Sequence, residues 1–225
     1  MRGSRAGESR AMRIAGLTVG PLAENCWIVG VAPRCAIVDP GAESERIFRE
    51  VEARGLAPER ILLTHGHVDH IAHCAQVAGR YGIGLWAHAA DLPYLERPQW
   101  PELEALLGAR PCPAPERLLA DEEIVAVAGL ELTVLHTPGH TPGGICLAHA
   151  PSRTVLVGDT IFAGSVGRTD LPGGDWSALE RSIRTRLFAL EGDWILLPGH
   201  GPETTLEAER TGNPFVGERA RFAPG

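Results

Sequence analysis

At 225 residues, 44% of them hydrophobic, the chain is long enough for one large domain or two small ones with a well-buried core. Its formal charge is -7 and every basic residue is an arginine, which argues against a diffuse basic surface for nucleic acid. Five scattered cysteines without a CxxC pair are poor material for a disulfide framework, and no run has the length of a membrane span or the apolar core of a secretory signal, so a soluble cytoplasmic protein with reduced thiols is expected.

Residues 1–11 carry Arg2, Arg5 and Arg10 without apolar periodicity and read as a disordered arm, leaving 12–225 as a single domain. Apolar runs over 13–19 and 26–31, separated by Gly20-Pro21 and Asn25, and a third over 35–38 predict a β-meander that ends in Asp39-Pro40-Gly41. Ser44 reads as the cap of a helix running to Arg54, with Ile47, Phe48 and Val51 at helical spacing, and 56–63 returns to the sheet.

The stretch Thr64-His65-Gly66-His67-Val68-Asp69-His70 follows that buried run directly. Gly66 permits a sharp turn, which places His65 and His67 on a loop and Asp69 and His70 in the first turn of a helix extending over 71–81. Three imidazoles and a carboxylate at this spacing suit a borderline divalent cation. One ion cannot easily use all four, so the pattern points to two.

A brief strand is expected over 85–87. Between 88 and 120, Pro93, Pro98, Pro101, Pro111, Pro113 and Pro115 break the chain into short pieces, which reads as a lid or lateral excursion. Strands resume over 123–127, 130–136, 145–150 and 154–157; a helix over 177–190 carries Leu179, Ile183, Leu187 and Leu190 on one stripe; a strand at 194–197 and a helix at 206–210 follow. Two passages of strands, each with helices, predict two sheets face to face with helices outside. His140, Asp159 and His200 each come just after a predicted strand, so a metal-binding side chain is left at one common edge.

With THGHVDH, TPGHTPG, GDTIFAG and LPGHGP in this order, the chain resembles the metallo-β-lactamase superfamily, and most closely its glyoxalase II-like hydrolases. The resemblance runs from about Met12 to Phe215. It implies a four-layer αββα sandwich with two divalent metal ions in a groove along its edge, zinc first, with iron or manganese as alternatives. It also implies that His65, His67 and His140 hold one ion, that Asp69, His70 and His200 hold the other, and that Asp159 bridges them. The implied reaction is hydrolysis of a small-molecule thioester of the S-lactoylglutathione type by a hydroxide shared between the ions, oriented by Asp69. The resemblance leaves open a second activity, that of the mononuclear-iron persulfide dioxygenases.

The sequence departs from full-length glyoxalase II enzymes in ending soon after His200, without the helical region that contributes to their glutathione site, and in having no lysine. Arg168, in GSVGRTDLPGGD, is the expected substitute contact to a substrate carboxylate, against the plainer reading of an ion-pair partner. His136 reads as a structural group, His73 and Cys74 as ordinary helix residues, His88 and His149 as surface or loop histidines, Trp100 as local packing ahead of a place at a substrate entrance, and Asp39 as a turn residue.

Overall fold

Consecutive residues of a strand point to opposite faces, so a strand buried on both faces is an unbroken apolar run that feeds two different cores. The structure, a computed structural model, describes residues 12–97 and 100–221 and shows this repeatedly. Ile61 and Leu63 enter one core while Leu62 enters another; Val155 and Val157 flank Leu156 in the same way.

The first sheet is ordered β1 (Arg13–Val19), β2 (Glu24–Gly30), β3 (Arg34–Val38), β4 (Ala57–Leu62), β5 (Leu85–His88) and β6 (Arg117–Leu119). Its first three strands form the expected antiparallel meander; β3 to β6 pair in parallel, with helices in the crossovers. The second half of the chain supplies β7 (Ile124–Val127), β8 (Leu130–His136), β9 (Ile145–His149), β10 (Thr154–Gly158), a small hairpin of β11 (Ile161–Phe162) and β12 (Ser165–Val166), then β13 (Ile195–Pro198) and β14 (Thr204–Thr205). All but the hairpin join in a second sheet ordered β14-β13-β10-β9-β8-β7.

The cores mark the layers. Val29, Val38, Leu62, Leu132, Val134, Leu156 and Leu197 fill the space between the sheets. On the outer face of the first sheet, Ile37 and Ile61 pack with Ile47 and Val51 of α1 (Ser44–Ala53), Ile71 of α2 (Val68–Ile71) and Val77 of α3 (Cys74–Tyr81). The lateral excursion holds α4 (Leu92–Glu96) and α5 (Pro101–Leu107). Beyond the second sheet, Leu179 of α6 (Trp176–Ser182), Ile183 and Leu187 of the π-helical turn after it, and Leu206 of α7 (Leu206–Gly212) cover Val155, Val157 and Leu196. This is the αββα sandwich.

Several local expectations change. Ser44 is the first helical residue and not the cap: Glu43 holds that position with φ 48, and the Ser44 N–H donates to His73 Nδ1 at 3.1 Å. The helix expected over 71–81 divides at Ala72-His73, where His73 N–H bonds Pro40 O across to the meander. Asn25 is not a breaker but lies within β2. A short strand, β6, closes the proline-rich stretch, because Trp86 to His88 offers a free parallel edge to Arg117–Leu119. The helix expected over 177–190 starts at Trp176, where Asp175 accepts from the Ala178 N–H, and ends at Leu187. Pro98 and the arm assigned to 1–11 lie outside the described residues.

Candidate metal centre

Parallel strands deliver their C-terminal ends to one side, and loops there collect the polar residues that the sheets cannot bury. The ends of β3, β4, β8, β10 and β13 lead directly to Asp39, the 65–70 loop, His140, Asp159 and His200. His65, His67 and His140 form one group whose ligand atoms lie within 4.8 Å of one another; Asp69, His70 and His200 form another on the same criterion.

Hydrogen bonds fix which ring nitrogen each histidine presents. Carbonyls and carboxylates accept, so His70 donates from Nδ1 to Asp39 (3.1 Å), His140 from Nδ1 to Arg168 O (2.8 Å) and His200 from Nδ1 to Leu22 O (3.1 Å). Their Nε2 atoms are left facing the cluster. Thr64 gives its hydroxyl proton to Asp39, so its oxygen accepts from His65 Nδ1 at 3.2 Å. His65 Nε2 is then buried with no hydrogen-bond partner among the described residues. His67 turns Nδ1 toward His140 Nε2, 2.8 Å away.

Tetrahedral ligand atoms about 2.05 Å from one ion are about 3.4 Å apart. His70 Nε2 lies 3.4 Å from His200 Nε2, His200 Nε2 lies 3.3 Å from Asp69 Oδ2, and His140 Nε2 lies 3.4 Å from Asp159 Oδ2. The Asp159 carboxylate stands between the groups: Oδ1 is 3.4 Å from His70 Nε2, and Oδ2 is 3.6 Å from His200 Nε2. An orphaned buried nitrogen, spacings of coordination size and an all nitrogen and oxygen donor set fit divalent cations.

The electrostatics agree with that fit. Burial and the neighbouring histidines hold His65 far below its ordinary pKa and bring His67 down to about 3, so both rings are neutral, the form that binds metal. Burial pushes the Asp159 carboxyl up, but the charge and hydrogen bond of His70, with the charges of His140 and His200, together more than offset it, and the group ends below the usual carboxylate range. Burial works against the charged form of His70 too, yet the charge and hydrogen bond of Asp159, with the bond to Asp39, leave its pKa raised.

Three residues that hold this centre together, and a fourth buried beside it, were not assigned such a place from sequence. Asp39 is buried rather than a plain turn residue, binding the Thr64 N–H (2.8 Å) and hydroxyl as well as His70. Asp91 accepts from Gly66 N–H (2.8 Å), Thr141 Oγ1 (2.8 Å) and Gly143 N–H (2.6 Å), tying the His67 loop to the His140 loop. Asn25 grips the His200 loop through Pro198 O and Gly201 O. Glu24 is buried beside His70, with neither carboxylate oxygen hydrogen-bonded among the described residues. The only advance signal was that acidic or amide residues punctuate apolar runs, which turns do as well.

Other histidines stand apart. His136 donates from Nε2 to Pro142 O and stacks on His88 at 4.1 Å, a structural role as expected. His73 spans from α1 to Leu107 O. His149 is buried at the end of β9 and not a surface histidine, bonded to Ser152 Oγ at 2.7 Å.

In front of the cluster opens a groove of about 630 Å³. His67, Asp69, His140, Asp159 and His200 line its floor. Trp100 is part of the wall, 5.6 Å from the His67 ring, rather than local packing alone. Arg168 also lines it, but its Nε and Nη2 donate to the two Asp170 oxygens at 2.7 Å each, as the ion-pair reading held.

Comparison with known proteins gives concordant matches. A family model described as "Metallo-beta-lactamase superfamily" covers residues 19–200. The hydroxyacylglutathione hydrolase GloC of Haemophilus influenzae is 34% identical over 219 residues, 93% of this chain and all of that protein. Among solved structures, TTHA1623 in a di-iron-bound form aligns with a TM-score of 0.82 at 37% identity, over 90% of this chain and 100% of that one. BLEG-1, titled a B3 metallo-beta-lactamase, aligns at 0.83 and 32% identity, over 91% and 99%.

Proposed function

Because the chain belongs to the metallo-β-lactamase superfamily, we propose that it is a metal-dependent hydrolase cleaving a thioester of the S-lactoylglutathione type. The observation that carries this reading is the pair of three-residue donor groups with the Asp159 carboxylate between them at the floor of a groove. The similarity to GloC supports the thioester, and the similarity to a di-iron-bound protein supports two ions, either zinc or iron. When bound, such ions supply Lewis-acid polarisation of a carbonyl and lower the pKa of water toward neutrality.

The chain's own residues do the rest. His65, His67 and His140 would hold one ion and Asp69, His70 and His200 the other, with the Asp159 carboxylate standing between the two groups. Asp39, Arg168 O and Leu22 O hold the imidazoles in the tautomer that leaves Nε2 free. Asp69, on the groove floor, orients the attacking water. The water oxygen bonds to the acyl carbon and the C–S bond breaks with its electron pair going to sulfur. One water proton ends on the thiol and one is lost from the new carboxylic acid. A thiol has a pKa of about 8.5, so it leaves without a strong general acid. Arg168 lines the substrate path with its guanidinium held by Asp170.

The test is metal quantification on protein purified without added metal, followed by thiol release from S-lactoylglutathione. About two ions per chain and metal-dependent release are expected. One iron per chain, with oxygen consumed on a glutathione persulfide and no thiol release, would replace this reading with the dioxygenase one.

A further inference from the structure

The groove walls have a composition that the metal centre does not require. At the His200 end stand Leu22 and Phe162, the Phe162 ring 6.1 Å from that imidazole; at the His67 end stands Trp100, with Leu103 beside it in α5. Val166 at the end of β12 and Leu171 on the loop that carries Arg168 also line the groove. A substrate lying across the cluster therefore meets apolar surface on both sides of the reacting carbon.

Glutathione carries two carboxylates and an ammonium at its ends, and a site that recognises those charges offers fixed, unpaired partners. Among the described residues that line the groove, Arg168 is the one guanidinium, and it is already held in a two-point pair by Asp170 two positions along. A substrate carboxylate would have to displace that intramolecular partner. Glu102, exposed on the α5 wall, has the wrong sign for either carboxylate and suits only the ammonium. Lysine is absent from the whole chain.

We propose that the groove reads the uncharged middle of the thioester and not the charged ends of glutathione, so that its substrates are acyl thioesters of thiols in general, favoured by apolar arms. This rests on the thioesterase reading above. Each methylene that enters an apolar wall is worth about fourfold in kcat/KM.

The test compares, on the metal-loaded full chain, S-lactoylglutathione with the lactoyl thioester of N-acetylcysteamine, an uncharged thiol, and then the acetyl, butyryl and hexanoyl thioesters of the latter. The uncharged lactoyl thioester is expected to reach at least the kcat/KM of the glutathione one, with a rise from acetyl to hexanoyl of about fourfold for each of the added methylenes that enters the wall. Trp100→Ala and Phe162→Ala should flatten that rise, and Glu102→Arg should move the ratio toward the glutathione thioester. A preference of tenfold or more for S-lactoylglutathione, or no dependence on acyl length, would overturn the proposal while leaving a thioesterase in place. Turnover of none of these thioesters would instead remove the thioesterase reading itself.

Discussion

Asp91 reaches neither donor group, yet one carboxylate holds both loops that carry His67 and His140. Removing it leaves two backbone N–H groups and a hydroxyl without their acceptor, at about 1–3 kcal/mol for each one left buried. Asp91→Ala is therefore expected to lower stability by about 3 kcal/mol in urea denaturation and to weaken metal retention in dialysis against a chelator. The histidines make a separate prediction about protons. In the metal-free protein at pH 6.5, His65 and His67 are already neutral, whereas His70, raised by Asp159, is charged. Uptake of an ion by the Asp69 group should thus expel the His70 proton, and His65 and His67 should release none. Calorimetry in two buffers of different ionisation enthalpy reads this, and His70→Asn should abolish the His70 component. The clustered residues themselves were legible in the sequence as candidates because each carries a side chain whose chemistry is nearly its only use at such a density. Asp39 and Asp91 were not, because a buried carboxylate that accepts hydrogen bonds is indistinguishable in one sequence from an exposed turn residue until its partners, 25 or more positions away, are brought near.

At the level of elements, the loops work because small residues let the backbones close on the cluster. A Cβ on Gly199 would lie 2.2 Å from Asp159 Oδ1 and 2.6 Å from His70 Cε1, whereas one on Gly201 would meet nothing within 4 Å. Both flank His200. Gly199→Ala should accordingly lose bound metal, measured by elemental analysis. Gly201→Ala, strained at φ +76, should keep its metal and cost about 1 kcal/mol of stability. The same scale shows where periodicity informs and where it fails. Unbroken runs such as ILL, from the end of β4 into Leu63, and LLP in β13 announce segments buried on both faces, and the stripe of Leu179, Ile183 and Leu187 announces α6 and its continuation. Strands of two or three residues, β6, β11, β12 and β14, are too short to show a period and exist because a neighbouring edge accepts them. Ser44 misled for a related reason: it has the chemistry of a cap, but His73 had already taken its N–H.

For the whole molecule, three apolar layers separate four layers of secondary structure, and the middle one is made by both sheets. Leu156, 1% exposed there, should cost about 2–5 kcal/mol when truncated to alanine, read as a lower denaturation midpoint with the metal content kept. The sheets also divide the chain: one is built from segments up to Leu119, the other from Ile124 onward. His65, His67, Asp69 and His70 come from the first part, and His140, Asp159 and His200 from the second. Neither part alone owns the whole of the His65, His67 and His140 group or of the Asp69, His70 and His200 group, although Asp39, His65 and His70 also lie within 4.8 Å of one another in the first part. A polypeptide cut within the exposed turn at 120–122 would thus yield two pieces that each lack part of both groups, and tight cation capture between them would become a direct gauge of their reunion.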